Sequence, residues 1–353
     1  MEKAVRFLKS VKENDNVVII FNNDADGMCS CAIVDILLMK KLKKETLLIS
    51  QPMPMDKNLI SRIRTTIPDK IIFLDLAADQ QEQMVKKIAG LAEVLIVDHH
   101  QVHKDMNSGR IVHYNPRMKK KGVYQSTSYL AYSICSKLDD MEEYLCIAAA
   151  GMIGDYNLAD SDELVNDIMK KYGVEKELYR SFLGRITDMI SASQATKALS
   201  CEQIVRIIEA SDAEGIRNNE KLVDAYRKVE SEMARLMEDA EAHAERHGDI
   251  VFYDFKSGIS LRSELSTRLS SRFRGKTVVV YEKIGSKMKI SGRNQSGKDV
   301  TKLFKEAGEG LDVLAGGHEA AAGAAVAAND WDEFKARLVE MGKYGKNTEI
   351  KWS

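Results

Sequence analysis

The stretch that decides the fold is Val17-Val18-Ile19-Ile20-Phe21, followed at once by Asn22-Asn23-Asp24-Ala25-Asp26-Gly27. Five consecutive β-branched or aromatic residues leave no polar face, which predicts a strand covered on both sides, as in parallel sheets. An Asp- and Gly-rich turn then leads into a helical pattern over 30–43. The alternation recurs with LLIS at 47–50, KIIFL at 70–74, a helical pattern over 80–89 and VLIV at 94–97. Continuous apolar strands interleaved with helices predict an α/β domain built on a parallel sheet. Ligands of such open sheets gather at the carboxyl ends of the strands, so the residues after VVIIF, KIIFL and VLIV come first in any search for chemistry.

After VVIIF stand Asn22, Asp24 and Asp26; after KIIFL stands Asp75; after VLIV stand Asp98, His99 and His100. Asp155 follows the small-residue run 148–154 and reads as a fourth strand end. One acid in such a place is a turn or cap residue. Acids at all of these ends, one followed by paired histidines, exceed what capping requires. Crowded carboxylates repel unless cations or protons neutralise them. Alternate residues of an extended turn point to opposite sides, so Asp24 and Asp26 are placed to serve different metals, with Asp75 bridging and His99 adding a nitrogen. Oxygen-rich coordination with one imidazole suits Mn²⁺ or Mg²⁺ better than zinc. Two such ions about 4 Å apart activate a water and clamp the oxygens of an in-line displacement at phosphorus.

The 353 residues predict two domains rather than one. With 52 Lys and Arg against 53 Asp and Glu the chain is no polycation, so any grip on nucleic acid rests on a local patch. Five cysteines without a CxxC pair point to a reducing compartment, and the absence of a basic-then-apolar start and of a long apolar run predicts neither a targeting segment nor a membrane span. The expectation is a cytoplasmic protein without a membrane partner. Residues 125–210 read as helical. The charged stretch 214–246 carries Leu222, Tyr226, Val229, Met233, Leu236 and Ala240 at 4/3 spacing, which predicts one long connecting helix, with a dimerising coiled coil as the sharper alternative. Strands at 250–255, 277–282 and 288–291 and helices over 261–273, 300–307 and 331–341 make a smaller α/β domain. The alanine-rich 320–328 is a compositional oddity. The boundaries are therefore 1–212, a linker helix 213–247, and 248–353.

In this order and spacing, Asp24-x-Asp26-Gly27, Asp75, Asp98-His99-His100 and Gly154-Asp155 resemble the motifs of the DHH phosphoesterase superfamily. Ser291-Gly292-Arg293-Asn294 and Gly316-Gly317-His318-Glu319 resemble those of the DHH-associated C-terminal domain. The resemblance implies a metal-binding catalytic domain and a substrate-binding domain that closes over it. It implies two divalent cations, Mn²⁺ first and Mg²⁺ second. Asp24, Asp75 and Asn22 would hold one of them; Asp26, Asp75, His99 and Asp155 would hold the other. His100 would act at the scissile phosphate, and Asp98 would fix the histidine tautomers. Arg293, Gly316, Gly317 and His318 would bind substrate phosphate through charge-assisted donors and exposed amides. Asn22 departs from the His or Asp of many relatives; its amide oxygen is neutral and a weaker donor.

The chain looks most like the compact archaeal RecJ-like exonucleases. That likeness implies an Mn/Mg-dependent hydrolase degrading single-stranded DNA or RNA from an end, a role in DNA repair, and room for a helicase or replication factor as partner. Arg262 and Arg293 are the basic residues expected in a nucleic-acid groove, with Tyr124 or Tyr129 for base stacking. Two alternatives stay open. One is a nanoRNase or cyclic-dinucleotide phosphodiesterase acting on very short oligonucleotides; the other is a catalytically weakened scaffold, favoured by Asn22 alone.

Overall fold

The computed structural model describes residues 1–43, 45–156, 158–174 and 177–343. It separates into two units, Met1–Tyr226 and Arg227–Ser353. Among the described residues no helix is long and apolar enough to cross a membrane.

In the first unit, β1 (Val17–Phe21), β2 (Leu47–Ser50), β3 (Lys70–Leu74), β4 (Glu93–Val97) and β5 (Ile111–Tyr114) form one all-parallel sheet in the order β2-β1-β3-β4-β5. The period-2 pleat sends Val17, Ile19, Phe21, Ile72, Leu74, Leu95 and Val97 into one core. That core is closed by α1 (Glu2–Ser10), α2 (Ala25–Leu42), α5 (Thr127–Cys135), α6 (Leu145–Gly154), α7 (Asp162–Tyr172), α8 (Phe182–Thr196), α9 (Cys201–Glu209) and α10 (Ala213–Asn218). Val18, Ile20, Ile71, Phe73, Val94 and Ile96 enter a second core under α3 (Leu59–Arg64) and α4 (Glu82–Ala89). Burial on both faces is why these strands carry no alternation. Truncating fully buried Phe73 to alanine costs about 3–5 kcal/mol on general grounds.

The strand order changes direction between β1 and β3, which opens a crevice at their carboxyl ends. Phe21 pairs with Leu74, and Leu74 with Val97, so the residues that follow emerge side by side.

Three expectations need correction here. The helix after β1 starts at Ala25 with Asp24 as its N-cap, so Asp24-Ala25-Asp26-Gly27 is a helix start and not an extended turn. The run before Asp155 is α6, so this acid ends a helix rather than a strand. A short apolar run buried all round has no period to reveal its type. The long helix expected over 214–246 is two, because Asn219 between α10 and α11 (Glu220–His243) is extended. Leu222, Val229, Met233, Leu236 and Ala240 of its seam are buried within the chain.

The second unit holds a mixed sheet of β6 (Glu245–His247), β7 (Ile250–Asp254), β8 (Thr277–Ile284), β9 (Lys287–Arg293), β10 (Val313–His318) and β11 (Ala321–Ala327), ordered β10-β11-β9-β8-β7-β6. Only β7 and β8 run parallel. Helices α12 (Arg262–Arg272), α13 (Val300–Ala307) and α14 (Trp331–Lys343) accompany it, and Phe252, Val279, Phe304 and Phe334 anchor its core. The alanine-rich oddity is strand β11. Alanine disfavours strands by itself, but β11 is paired on both sides, to β9 and to β10.

Candidate functional site

The crevice between β1 and β3 is where the acids meet. Asn22 and Asp75 continue the two strands, and the Asp75 amide donates to Val97 O. Asp75 adopts a left-handed backbone, φ 59, which turns its buried carboxyl out of the strand path. Asp24 caps α2: its Oδ1 accepts from the Gly27 amide at 2.9 Å. A Cβ on Gly27 would lie 2.2 Å from Asn22 O, so only glycine lets the helix start this close to the strand end.

Asp26, in the first turn of α2, is 2 % exposed and faces the N-terminus of α5. Its Oδ2 accepts from the Thr127 amide at 2.7 Å and its Oδ1 from the Ser128 amide at 2.8 Å, with the Ser128 hydroxyl adding a third bond. Thr127 Oγ1 donates to Asp75 Oδ1 at 3.0 Å. Positive charge density at a helix N-terminus steadies these acids. The Ser126-Thr127-Ser128 clamp is a part of the site that sequence reasoning misses. Its only signal is a run of hydroxyl residues ahead of a helical segment, an ordinary N-cap signature.

His99 is buried, with Nε2 3.2 Å from Asp75 Oδ1 and Nδ1 3.3 Å from Asp155 Oδ2. Tyr124 closes this side, its ring edge-on to His99 at 5.0 Å. The Arg117 guanidinium lies over the Tyr124 ring at 5.1 Å. Tyr124 thus supports the site instead of offering a free stacking face. His100 points its Nδ1 at Asp98 Oδ1, 2.7 Å away. Asn115 donates to Asp98 Oδ2 and to the His100 carbonyl, holding both in place. Asp98 therefore orients His100.

The electrostatics match this crowding. Burial, then the Asp155 charge, pushes the Asp26 carboxyl up to about 7. Burial, then Asp24 and Asp26, raises Asp75 well above the carboxylate range, and burial raises Asp155 against the opposing pull of His99. Burial works against a charged His100, but the Asp98 bond and the nearby Asp75 outweigh it and raise the imidazole. Such shifts gather where function needs them.

The donors fit divalent cations. His99 Nδ1 and Asp155 Oδ2 are both buried without a hydrogen-bond partner although they face each other. One cation bound by both satisfies two orphaned atoms at once. Ligand atoms of Asp26, His99 and Asp155 lie within 4.8 Å of one another, as do those of Asp75, His99 and His100. Carboxylate oxygens with imidazole nitrogens are donors that divalent cations take. The Asn22 Nδ2 donates to Asp24 Oδ2 at 2.5 Å and Asp75 Oδ2 at 3.3 Å, while its Oδ1 accepts from the Asn23 amide.

In the second unit, Arg293 ends β9 with Nε 2.9 Å from Thr267 Oγ1 and Nη2 3.1 Å from Ser263 Oγ. Among the described residues no carboxylate pairs with it, and burial alone lowers its guanidinium. Arg262 is ion-paired with Glu282. Asn294 is buried and gathers the Ser296 and Lys298 amides, which makes it an organiser of the loop after β9. Gly316 and Gly317 are exposed on the edge strand β10. Gly317 has φ 142 and a Cβ there would lie 2.4 Å from Ala321 O. The His318 side chain lies outside the described residues.

Residues 16–153 match the DHH family, N-terminal domain. No curated protein matches the chain. RecJ from Thermus thermophilus in complex with Mn²⁺ superposes with TM-score 0.71 at 18 % identity over 96 % of this chain, which spans only 54 % of that protein. The DHH domain of a member of the s1p family of ribosomal proteins gives 0.75 at 14 % identity, covering 98 % of this chain and 90 % of that one. CDC45 from Entamoeba histolytica gives 0.60 at 9 % identity, covering 96 % and 99 %. At these identities the likeness is one of fold.

Proposed function

We infer that this chain, whose residues 16–153 form a DHH family N-terminal domain, is a metal-dependent phosphodiesterase that hydrolyses single-stranded nucleic acid from an end. The observation that carries this reading is the pair of orphaned atoms, His99 Nδ1 and Asp155 Oδ2, in a pocket of buried acids. Asp26, Asp75, His99 and Asp155 would hold one cation, and Asp24 and Asp75 a second. When bound, such ions supply Lewis-acid activation of water and neutralise charge at a phosphodiester.

The protein's own groups do the rest. The α5 amides hold Asp26 in place, so the acids do not move as charge develops. Hydrolysis forms one P–O bond from water and breaks another, and the leaving sugar oxygen takes a proton. His100, with Nδ1 committed to Asp98, keeps Nε2 for that proton. Arg293 and the backbone at the exposed Gly316 and Gly317 would bind further phosphates of the strand.

Digestion of end-labelled DNA and RNA oligomers in Mn²⁺, in Mg²⁺ and in chelator tests the reading. Stepwise release of mononucleotides in metal, stopped by chelator, is expected. No release from any oligomer at saturating Mn²⁺ sinks it. Dinucleotides cut far faster than long strands would move the assignment to short substrates.

A further inference from the structure

We infer that Tyr156 and Tyr179 form a stacking subsite for the nucleobase of a nucleotide bound at the Asp155 end of the acid cluster. The inference rests on the phosphodiesterase reading above. Their rings lie nearly parallel, 8° apart in plane, with centroids 6.1 Å apart. Tyr156 is 81 % exposed and Tyr179 41 %, so a broad aromatic face meets solvent. Two large rings held parallel at the surface form a platform that neither core packing nor solubility requires.

Position ties the platform to the chemistry. Tyr156 directly follows Asp155, whose buried Oδ2 faces His99. Its backbone is left-handed, φ 55, a conformation a bulky side chain adopts only when its surroundings impose it. Tyr179 lies in the short 3-10 turn Leu178–Arg180, and Glu177 before it is left-handed as well, φ 55. Burial, then the neighbouring Tyr156 and Asp155, raises the Tyr179 phenol, so this ring is within electrostatic reach of the site acid. The flat aromatic group that a nucleotide carries on the sugar beside its phosphate is the nucleobase, and aromatic faces accept any base because each has a π-face. Tyr124 and Tyr129, expected to stack, are engaged elsewhere: Tyr124 with His99 and Arg117, Tyr129 by packing on the first core. The subsite should be tolerant of sequence and favour larger bases.

The test compares single strands carrying a normal base or an abasic sugar at the first or second position from either end. The full chain is assayed in Mn²⁺ as wild type, Tyr156→Ala, Tyr156→Phe and Tyr179→Ala. Wild type is expected to lose about tenfold in kcat/KM, chiefly through KM, on one abasic strand. Tyr156→Ala should lose about as much on the normal strand and nothing further on the abasic one, while Tyr156→Phe keeps wild-type behaviour. Equal rates on all strands overturn the inference, as do equal losses by Tyr156→Ala on normal and abasic strands. If wild type cleaves no oligomer, the phosphodiesterase reading has failed, and quenching of 2-aminopurine placed at the same positions still decides on stacking. Quenching by wild type that Tyr156→Ala lacks supports the subsite; its absence in wild type overturns it.

Discussion

The acid cluster of the first unit and the Arg293–Gly317 region of the second are built on opposite principles. In the cluster, Asp26, Asp75 and His99 are each under 5 % exposed and are held by bonds from α5 or by one another. Its repulsion is fixed into the fold and is relieved by protons or cations. Arg293 instead rests on two hydroxyls, with no carboxylate paired to it among the described residues, beside a sheet whose edge strand exposes two glycines. A buried cluster answers to pH and to cations, whereas under the proposed function an accessible guanidinium would set how tightly a phosphate is held.

The sharpest way to break this contrast is Asp75→Asn. It removes the shared acid while keeping shape and tolerance of the left-handed backbone. Hydrolysis should fall on the order of 10³-fold, and Mn²⁺ titration should show weaker binding. In chelator the variant should melt several degrees higher than wild type, because one buried charge is gone. A lower melting temperature would mean the cluster is not strained.

A pH series on the unsubstituted protein probes the same strain. Asp26, raised to about 7, and Asp75 and Asp155, also raised, bind more protons in the folded than in the unfolded chain. Metal-free stability is therefore full below the ordinary carboxylate pKa and declines as pH rises from about 4 through about 7. The melting temperature in chelator should be lower at pH 8 than at pH 5.5, and Mn²⁺ should reverse that order, since cations compete with the protons. A flat profile in chelator would contradict the raised carboxyls.

In the second unit the effects should be smaller and confined to binding. Arg293→Ala should raise KM for single strands about five- to tenfold with kcat little changed. Arg262→Ala should leave KM alone and lower stability, because its guanidinium is neutralised by Glu282. Equal KM effects from the two would erase the distinction between an arginine paired with a carboxylate and one resting on hydroxyls.

The smallest change expected comes from Asn22→Asp. The amide donates to Asp24 and Asp75, acting as a neutral tie between them. A third acid there should tighten Mn²⁺ binding several-fold by titration and lower the metal-free melting temperature. Weaker binding would show that the tie, and not the charge, organises the acids.

Much of this is legible in the residues. VVIIF, LLIS and KIIFL stand as strands with the expected bounds, and Asp75, Asp98, His99 and His100 follow strand ends as expected. The reason is that a sheet buried on both faces writes itself as unbroken apolar runs, and the polar residue ending such a run must sit at the edge. Strand β5 escapes such a reading because it alternates and carries His113, whose buried Nδ1 accepts from the Met106 amide. The alanine-rich β11 escapes it because propensity speaks for one strand alone, while its neighbours supply the pairing.

Local pattern thus determined the kind of sheet, the side chains at its carboxyl edge and the need for something positive among them. Only the tertiary structure decided that Asp155 arrives from a helix, that α5 clamps Asp26 from a hundred positions away, and that Tyr156 and Tyr179 share one surface. Hydrogen-bond partnership between distant segments leaves no local period, because it is set by how the elements pack.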